Sequence, residues 1–157
     1  MSLTPILLGL LVGLILAAGV MVVLMRIAMI EVYKSSFSLE ATVERLEQAI
    51  RAAGWMVPDS KRLNESFAKG KVAFPRQVHL IKLCEPHHAA EVLTDNRQMA
   101  CMMPCTFAVY ESDEGDVLVS KVNTRLMGKV FGGSIGRVMG GAVATEEKAM
   151  LRAALGV

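Results

Sequence analysis

No run of like charge occurs in the chain, and no basic stretch is interleaved with aromatic residues; 17 Lys and Arg are scattered against 15 Asp and Glu, for a formal net charge of +2. A nucleic-acid surface needs a concentrated positive field, so no nucleic-acid partner is expected. The spacings of several catalytic and metal sites are missing too. No Ser–His–Asp order, paired-carboxylate site or metal-hydrolase HExxH can be read, and there is no CxxC, no haem-attaching CxxCH and no zinc-ligand pattern. The cysteines number three, an odd count that argues against a fully paired disulfide framework and leaves room for one bridge. Internal repeats and low-complexity tracts are likewise absent.

What is present first is an uncharged run from Pro5 to Met25, PILLGLLVGLILAAGVMVVLM. At ~1.5 Å rise per residue a helix of that length spans a hydrocarbon core of ~30 Å. A cleaved signal peptide would need a basic n-region and a small-residue cleavage site. Met1 to Thr4 carries no basic side chain, and Val20 to Met25 offers no Ala-x-Ala-like site. The expected organisation is a short tail over residues 1–4, a transmembrane anchor over 5–26 with membrane lipid as its partner, and one domain over 27–157. Gly9, Gly13 and Ala17 recur every four residues, placing them on one helix face where other transmembrane subunits could pack closely; lipid-facing filler is the bland alternative. Arg26, Lys34 and Arg45 follow the run and no Lys or Arg precedes it. The positive-inside rule then favours a single-pass protein of the cell membrane with its domain on the cytoplasmic side.

Beyond the run, Ile27 to Tyr33 is short, apolar and β-compatible, so a first strand is expected close to the membrane. Ser38 can cap a helix in which Leu39, Val43, Leu46 and Ile50 recur at helical spacing, with Gly54 just past its end. Trp55 to Val57 predicts a short strand stopped by Pro58, and the polar stretch from Pro58 to Phe74 predicts a loop with one helical turn. Gln77 to Cys84 is a β-rich run, after which Pro86 fits the first turn of a helix ending at Thr94–Asn96. Thr106 to Glu111 and Val117 to Val122 predict a hairpin joined through Gly115. The glycine-rich GKVFGGSIGRVMGG lacks the Gly-Lys-Ser/Thr ending of a phosphate loop and reads as turns and close packing. Thr145 is expected to cap a last helix, with Glu146 and Glu147 in its first turn and Met150, Leu151, Ala154 and Leu155 on its inner face.

Soft donors are concentrated in one stretch. All three cysteines fall between Cys84 and Cys105, together with His87, His88, Met99, Met102 and Met103. Thiolate and thioether ligands favour Cu(I) or haem iron, and imidazole suits several metals. Cys84 falls where a strand hands over to a helix, so the positive end of the helix dipole should favour its thiolate. Cys105 opens a strand and would face Cys84 if the two strand ends are adjacent. The competing reading is that both are buried small hydrophobes, that the histidines are surface residues and that the methionines fill the core.

These residues also carry a family resemblance. Phe37 to Leu46, Gly54-Trp55, Cys84-Glu85-Pro86, Leu93, Met103-Pro104-Cys105, Val109-Tyr110-Glu111, Gly115, Val119-Ser120-Lys121 and Asn123 make the soluble part resemble the bacterial and archaeal family called domain of unknown function 302. The resemblance covers about residues 30 to 155. It implies a compact α+β fold, an antiparallel sheet with helices packed on one face, frequently as a homodimer, and no established activity. The family's two recurrent cysteines correspond to Cys84 and Cys105. The N-terminal helix, Cys101, His87 and His88 depart from the shorter soluble members.

The leading expectation is a membrane-anchored, non-catalytic binding module in which Cys84 and Cys105, with Met103 or His87, hold a soft metal such as copper, haem or a sulfur species. The alternative is a structural or accessory subunit of a larger membrane complex, packed through Gly9, Gly13 and Ala17. A thiol-based redox enzyme is a third reading, without a CxxC or a second catalytic group to support it.

Overall fold

The computed structural model describes residues 4–156; most of the tail assigned to residues 1–4 lies outside them. A helix, α1 (Thr4–Ala28), opens the chain. Its segment Leu7–Met25 has a mean hydropathy of 2.9 and no buried residue, and among the described residues it is the single helix long and apolar enough to cross a membrane. A secretion signal passes the same test.

Only Met29 separates α1 from strand β1 (Ile30–Ser35). The last carbonyls of a helix have no partner within it. Here Asn123 supplies two donors, its amide to the Met29 oxygen at 2.8 Å and its side-chain Nδ2 to the Ala28 oxygen at 3.0 Å. The helix end is thereby tied to the domain.

Helix α2 (Leu39–Ala52) begins as the spacing predicts: Ser38 Oγ accepts from the Ala41 amide at 3.2 Å, and Leu39, Thr42, Leu46 and Ile50 are buried. There follow β2 (Met56–Arg62), α3 (Leu63–Lys69), β3 (Val78–Cys84), α4 (Pro86–Asp95), a 3-10 segment (Arg97–Met102), β4 (Cys105–Glu111) and β5 (Val117–Val122). The chain closes with α5 (Thr124–Phe131), α6 (Gly133–Arg137), a π-helical segment (Val138–Val143) and α7 (Ala144–Leu155).

The five strands form one antiparallel sheet in the order β1-β5-β4-β3-β2. Side chains alternate between the faces of a strand. Ile81, Leu83, Phe107, Val109 and Val119 are buried on one face, in the core that also takes Leu46 and Ile50 from α2 and Met150 and Leu151 from α7. The alternate residues Leu80, Lys82, Ala108, Tyr110, Leu118 and Ser120 are only half-buried. The fold is therefore α+β with its helices on one face. Register pairs Ile30 with Val122, Leu83 with Cys105 and Cys84 with Met56, so all of these lie at the end of the sheet where α1 stops.

Four expectations are corrected. Strand β2 runs straight through Pro58, because β2 is the edge strand and a register shift between Met56 and Asp59 removes the need for an amide donor. The polar stretch after it is strand to Arg62 and then a two-turn helix, whose Asn64 bridges the chain by donating to the Arg76 oxygen and accepting from the Val78 amide. The glycine-rich segment is mostly helical rather than turns. Close packing does hold, since a Cβ at Gly128 would lie 2.5 Å from the Gly140 Cα. Thr145 caps nothing: Val143 and Ala144 already have helical dihedrals, and the Thr145 hydroxyl donates to the Gly141 oxygen at 2.7 Å.

Candidate functional site

At the α1 end of the sheet, β3 hands over to α4 through Cys84, Glu85 and Pro86. Pro86 occupies the first turn, where its missing amide costs nothing, and the Glu85 carboxylate accepts from the His88 amide at 2.6 Å. On the neighbouring strand β4 starts at Cys105. The Leu83–Cys105 pairing brings the two cysteine-bearing strand ends side by side, one residue out of register.

Alternation then separates the two side chains. Cys105 shares the helical face with Phe107, whereas Cys84, paired with Met56, belongs to the open face. Both nevertheless border a narrow cavity of about 20 Å³, whose walls include Trp55, Glu85, His88, Met103 and Met139. All three cysteines are free thiols. A groove of about 400 Å³ also borders Cys84, between Met56, Pro58, Leu93 and Met103. A second pocket of about 110 Å³ lies behind Cys105, between Met102, Thr124, Met127 and Glu147.

The other candidates divide. Met103 lines the cavity shared by the cysteines. His87 is exposed, whereas His88 turns inward, its Nε2 3.1 Å from Glu146 Oε1 and its ring 5.9 Å from that of Trp55 in an edge-on arrangement. Adjacent helical residues point about 100° apart, and the packing of α4 selects the second histidine. Trp55 Nε1 donates to Glu146 Oε2 at 2.6 Å, completing a Trp–Glu–His relay along one wall. Cys101 is exposed, its thiol donating to the Gln98 oxygen at 3.2 Å. On α1 nothing lies within 4 Å of a Cβ built at Gly9 or Gly13, and Ala17 is exposed. Among the described residues no group of three or more His, Cys, Asp or Glu is arranged to hold a metal ion.

The electrostatics reverse the expectation for Cys84. Burial, and then the Glu85 carboxylate, raise its pKa and hold the thiol protonated. The start of α4 already has an anion in Glu85, so the helix dipole is not left for the sulfur. Burial pushes the Cys105 thiol to about 12, with help from Glu147 and Cys84.

A buried ionic network beside Cys105 went unseen in the sequence. Lys121 Nζ donates to Glu147 Oε2 at 2.9 Å, to the Val122 oxygen at 3.1 Å, and pairs with Glu31 Oε2 at 3.0 Å. The Thr124 hydroxyl donates to Glu147 Oε2 at 2.8 Å and the Tyr33 hydroxyl to Glu31 Oε2 at 3.0 Å. Glu147 is 1% exposed and Lys121 6%. Burial raises the Glu147 pKa; at Lys121 burial opposes the charge, but Glu147 and Glu31 outweigh it and raise the pKa. A signal was available. Lys121 continues the inward phase of Val117 and Val119, and Glu147 lies three and four residues before Met150 and Leu151, so each charge sits on an apolar stripe.

Comparison with known proteins agrees with this architecture. A crystal structure of an uncharacterized conserved DUF302 protein from Bacillus stearothermophilus matches with a TM-score of 0.71 at 19% identity, over 80% of this chain and 98% of that one. At that identity the likeness shows the fold alone. No curated protein matches the sequence. The family model described as "Domain of unknown function DUF302" matches residues 31–155. Helix α1 thus precedes a domain that the match spans almost completely, and the chain belongs to the DUF302 family.

Proposed function

We propose that the chain is a membrane-anchored binding module whose cysteine cavity takes one soft metal ion, Cu(I) by its chemistry. The observation that supports this reading is the make-up of the cavity wall: Cys84, Cys105, Met103 and Met139, four sulfur-bearing residues, line one space together with His88. Sulfur donors of this kind, with few hard oxygens, select a soft monovalent ion. A space of about 20 Å³ suits one ion and is far too small for a porphyrin, so haem has no place inside this cavity. Binding displaces the thiol proton to solvent as each S–Cu bond forms. With both thiols held protonated, apparent affinity should rise with pH.

In this reading α1 is retained as the anchor. Lys34 and Arg45 follow it and no Lys or Arg precedes it, which favours a cytoplasmic domain at the cell membrane. The test is competition between the purified full chain and a colorimetric Cu(I) chelator under reducing conditions, with elemental analysis. One Cu(I) per chain is expected, and a loss of about tenfold or more in affinity for Cys84→Ser and for Cys105→Ser. Equal affinity for the wild type and the double variant would remove the site.

A second reading, an accessory subunit in a membrane complex or a homodimer, is favoured by the small-residue face of α1. Nothing covers Gly9, Gly13 or Ala17, and helices approach one another most closely at such positions.

A further inference from the structure

The helices do not cover the sheet evenly. Register pairs Glu31 with Lys121 and Tyr33 with Val119, so Glu31 and Tyr33 of the edge strand β1 share the helical side with the buried Val119 and Lys121. Helices α5 and α7 both begin there without closing over β1. The gap is an open pocket of about 450 Å³, walled by Glu31, Tyr33 and Lys121 from the sheet, Thr124 and Arg125 from α5, and Lys148 from α7. Ala144 lies four residues before Lys148 on the same face of α7, and its small side chain leaves the space beneath the longer one open.

The charges on this wall do not balance. Lys121 is fully engaged, since Glu147, Glu31 and the Val122 oxygen take up its three protons. The Thr124 and Tyr33 hydroxyls give theirs to Glu147 and Glu31. Arg125 and Lys148 differ: both are exposed, and among the described residues neither takes part in an ion pair. They stand on separate helices and border one pocket, where three cations face the single carboxylate of Glu31. Glu147, behind Lys121, offsets one more charge, and an excess of cation remains. A guanidinium fork and an ammonium point charge together suit a tetrahedral anion. The volume lies within the range of about 300–1,000 Å³ found for small-molecule sites, which leaves room for an organic group on that anion. Tyr33 and Lys121 both contact Glu31 through Oε2, so Oε1 keeps its lone pairs for a further donor.

We propose that this pocket binds a phosphomonoester, its phosphoryl group held between Arg125 and Lys148 and a hydroxyl of its organic part donating to Glu31. The pocket shares no residue with the cysteine cavity, so the proposal stands apart from the copper reading. Glu31 lies three residues beyond the end of α1, which brings a phosphomonoester headgroup in the bilayer as close as a soluble one.

Titration calorimetry on the full chain in an uncharged detergent, with glycerol phosphate and inorganic phosphate as probes, tests the site. One glycerol phosphate per chain is expected, bound more tightly than inorganic phosphate and more weakly as sodium chloride is raised. Arg125→Gln and Lys148→Gln should each weaken it by about tenfold. Lys129→Gln, which removes an exposed cation of α5 outside the pocket, should leave it unchanged. All three side chains are exposed, and equal thermal midpoints check that the variants fold. The same titration in phosphatidylcholine vesicles with and without phosphatidic acid separates the sources: competition by phosphatidic acid identifies the headgroup, and its absence a soluble phosphomonoester. No binding of either probe, or binding that Lys129→Gln weakens as much as Arg125→Gln and Lys148→Gln do, overturns the site. Equal affinity for the two probes overturns the part given to Glu31.

Discussion

Substituting Gly128 by alanine should destabilise the domain, by an amount that the local geometry sets. A Cβ at Gly128 would lie 2.5 Å from the Gly140 Cα, 2.6 Å from the Gly140 nitrogen and 3.2 Å from the Gly136 oxygen. Carbon atoms in contact sit ~3.5–4.0 Å apart, so α5 and the π-helical segment must separate by about 1 Å. The obstacle is backbone, and no side-chain rotation can relieve it. Met127, Val138, Met139 and Val143 are all buried around this crossing and would lose contact as it opens. Overpacking costs about 1–3 kcal/mol, of which the better helix propensity of alanine returns up to about 1 kcal/mol, leaving a net loss of about 1–2 kcal/mol. For a domain of this size that lowers Tm by about 3–10 °C. Gly141 is the control: it lies one residue further along the same segment, and a Cβ there meets nothing within 4 Å. Gly141→Ala should hold or raise stability by up to about 1 kcal/mol. Thermal unfolding of the full chain in detergent, followed by the emission of the single, buried Trp55, measures both. A Gly128→Ala protein as stable as wild type, or a Gly141→Ala protein that loses as much, would refute the account of this crossing.

Lys121→Met leaves Glu147 buried without its cation and should cost about 3–5 kcal/mol at pH 7. Because burial raises the folded-state pKa of Glu147, stability in that variant is fully present below the ordinary carboxyl range and is lost as pH rises through the folded value. Urea midpoints from pH 4 to 8 should therefore converge with wild type at the acid end, and parallel curves would contradict it. On α1, Gly13→Leu should abolish whatever helix association the full chain shows on cross-linking in membranes; unchanged cross-linking would leave the small-residue face without a partner.

Local signals declare some elements outright. Helix α2 has its cap at Ser38 and a helical apolar period that no other structure can satisfy, and α1 is apolar over too long a run to be anything but a helix exposed to an apolar medium or masked from water. The handover at Cys84 and Pro86 is equally plain, because proline at the first helical turn is a boundary marked in the residues themselves. The hairpin of β4 and β5 is legible within a residue for the same reason.

What the chain alone decided is thus where its periodic segments start and stop and which residues carry sulfur. Tertiary structure decided the rest. Pro58 is compatible with a strand only because β2 falls at the edge of the sheet, a property of strand order that no local pattern contains. Glycines that look like turns become helix because two segments cross at Gly128 and Gly140 closer than any Cβ allows. His88 rather than His87 reaches the cysteine cavity because of how α4 packs, and Lys121 and Glu147 can share a core only because their strands and helices bring opposite charges within 2.9 Å. Each is a relation between residues distant along the chain, and only the packed molecule contains it.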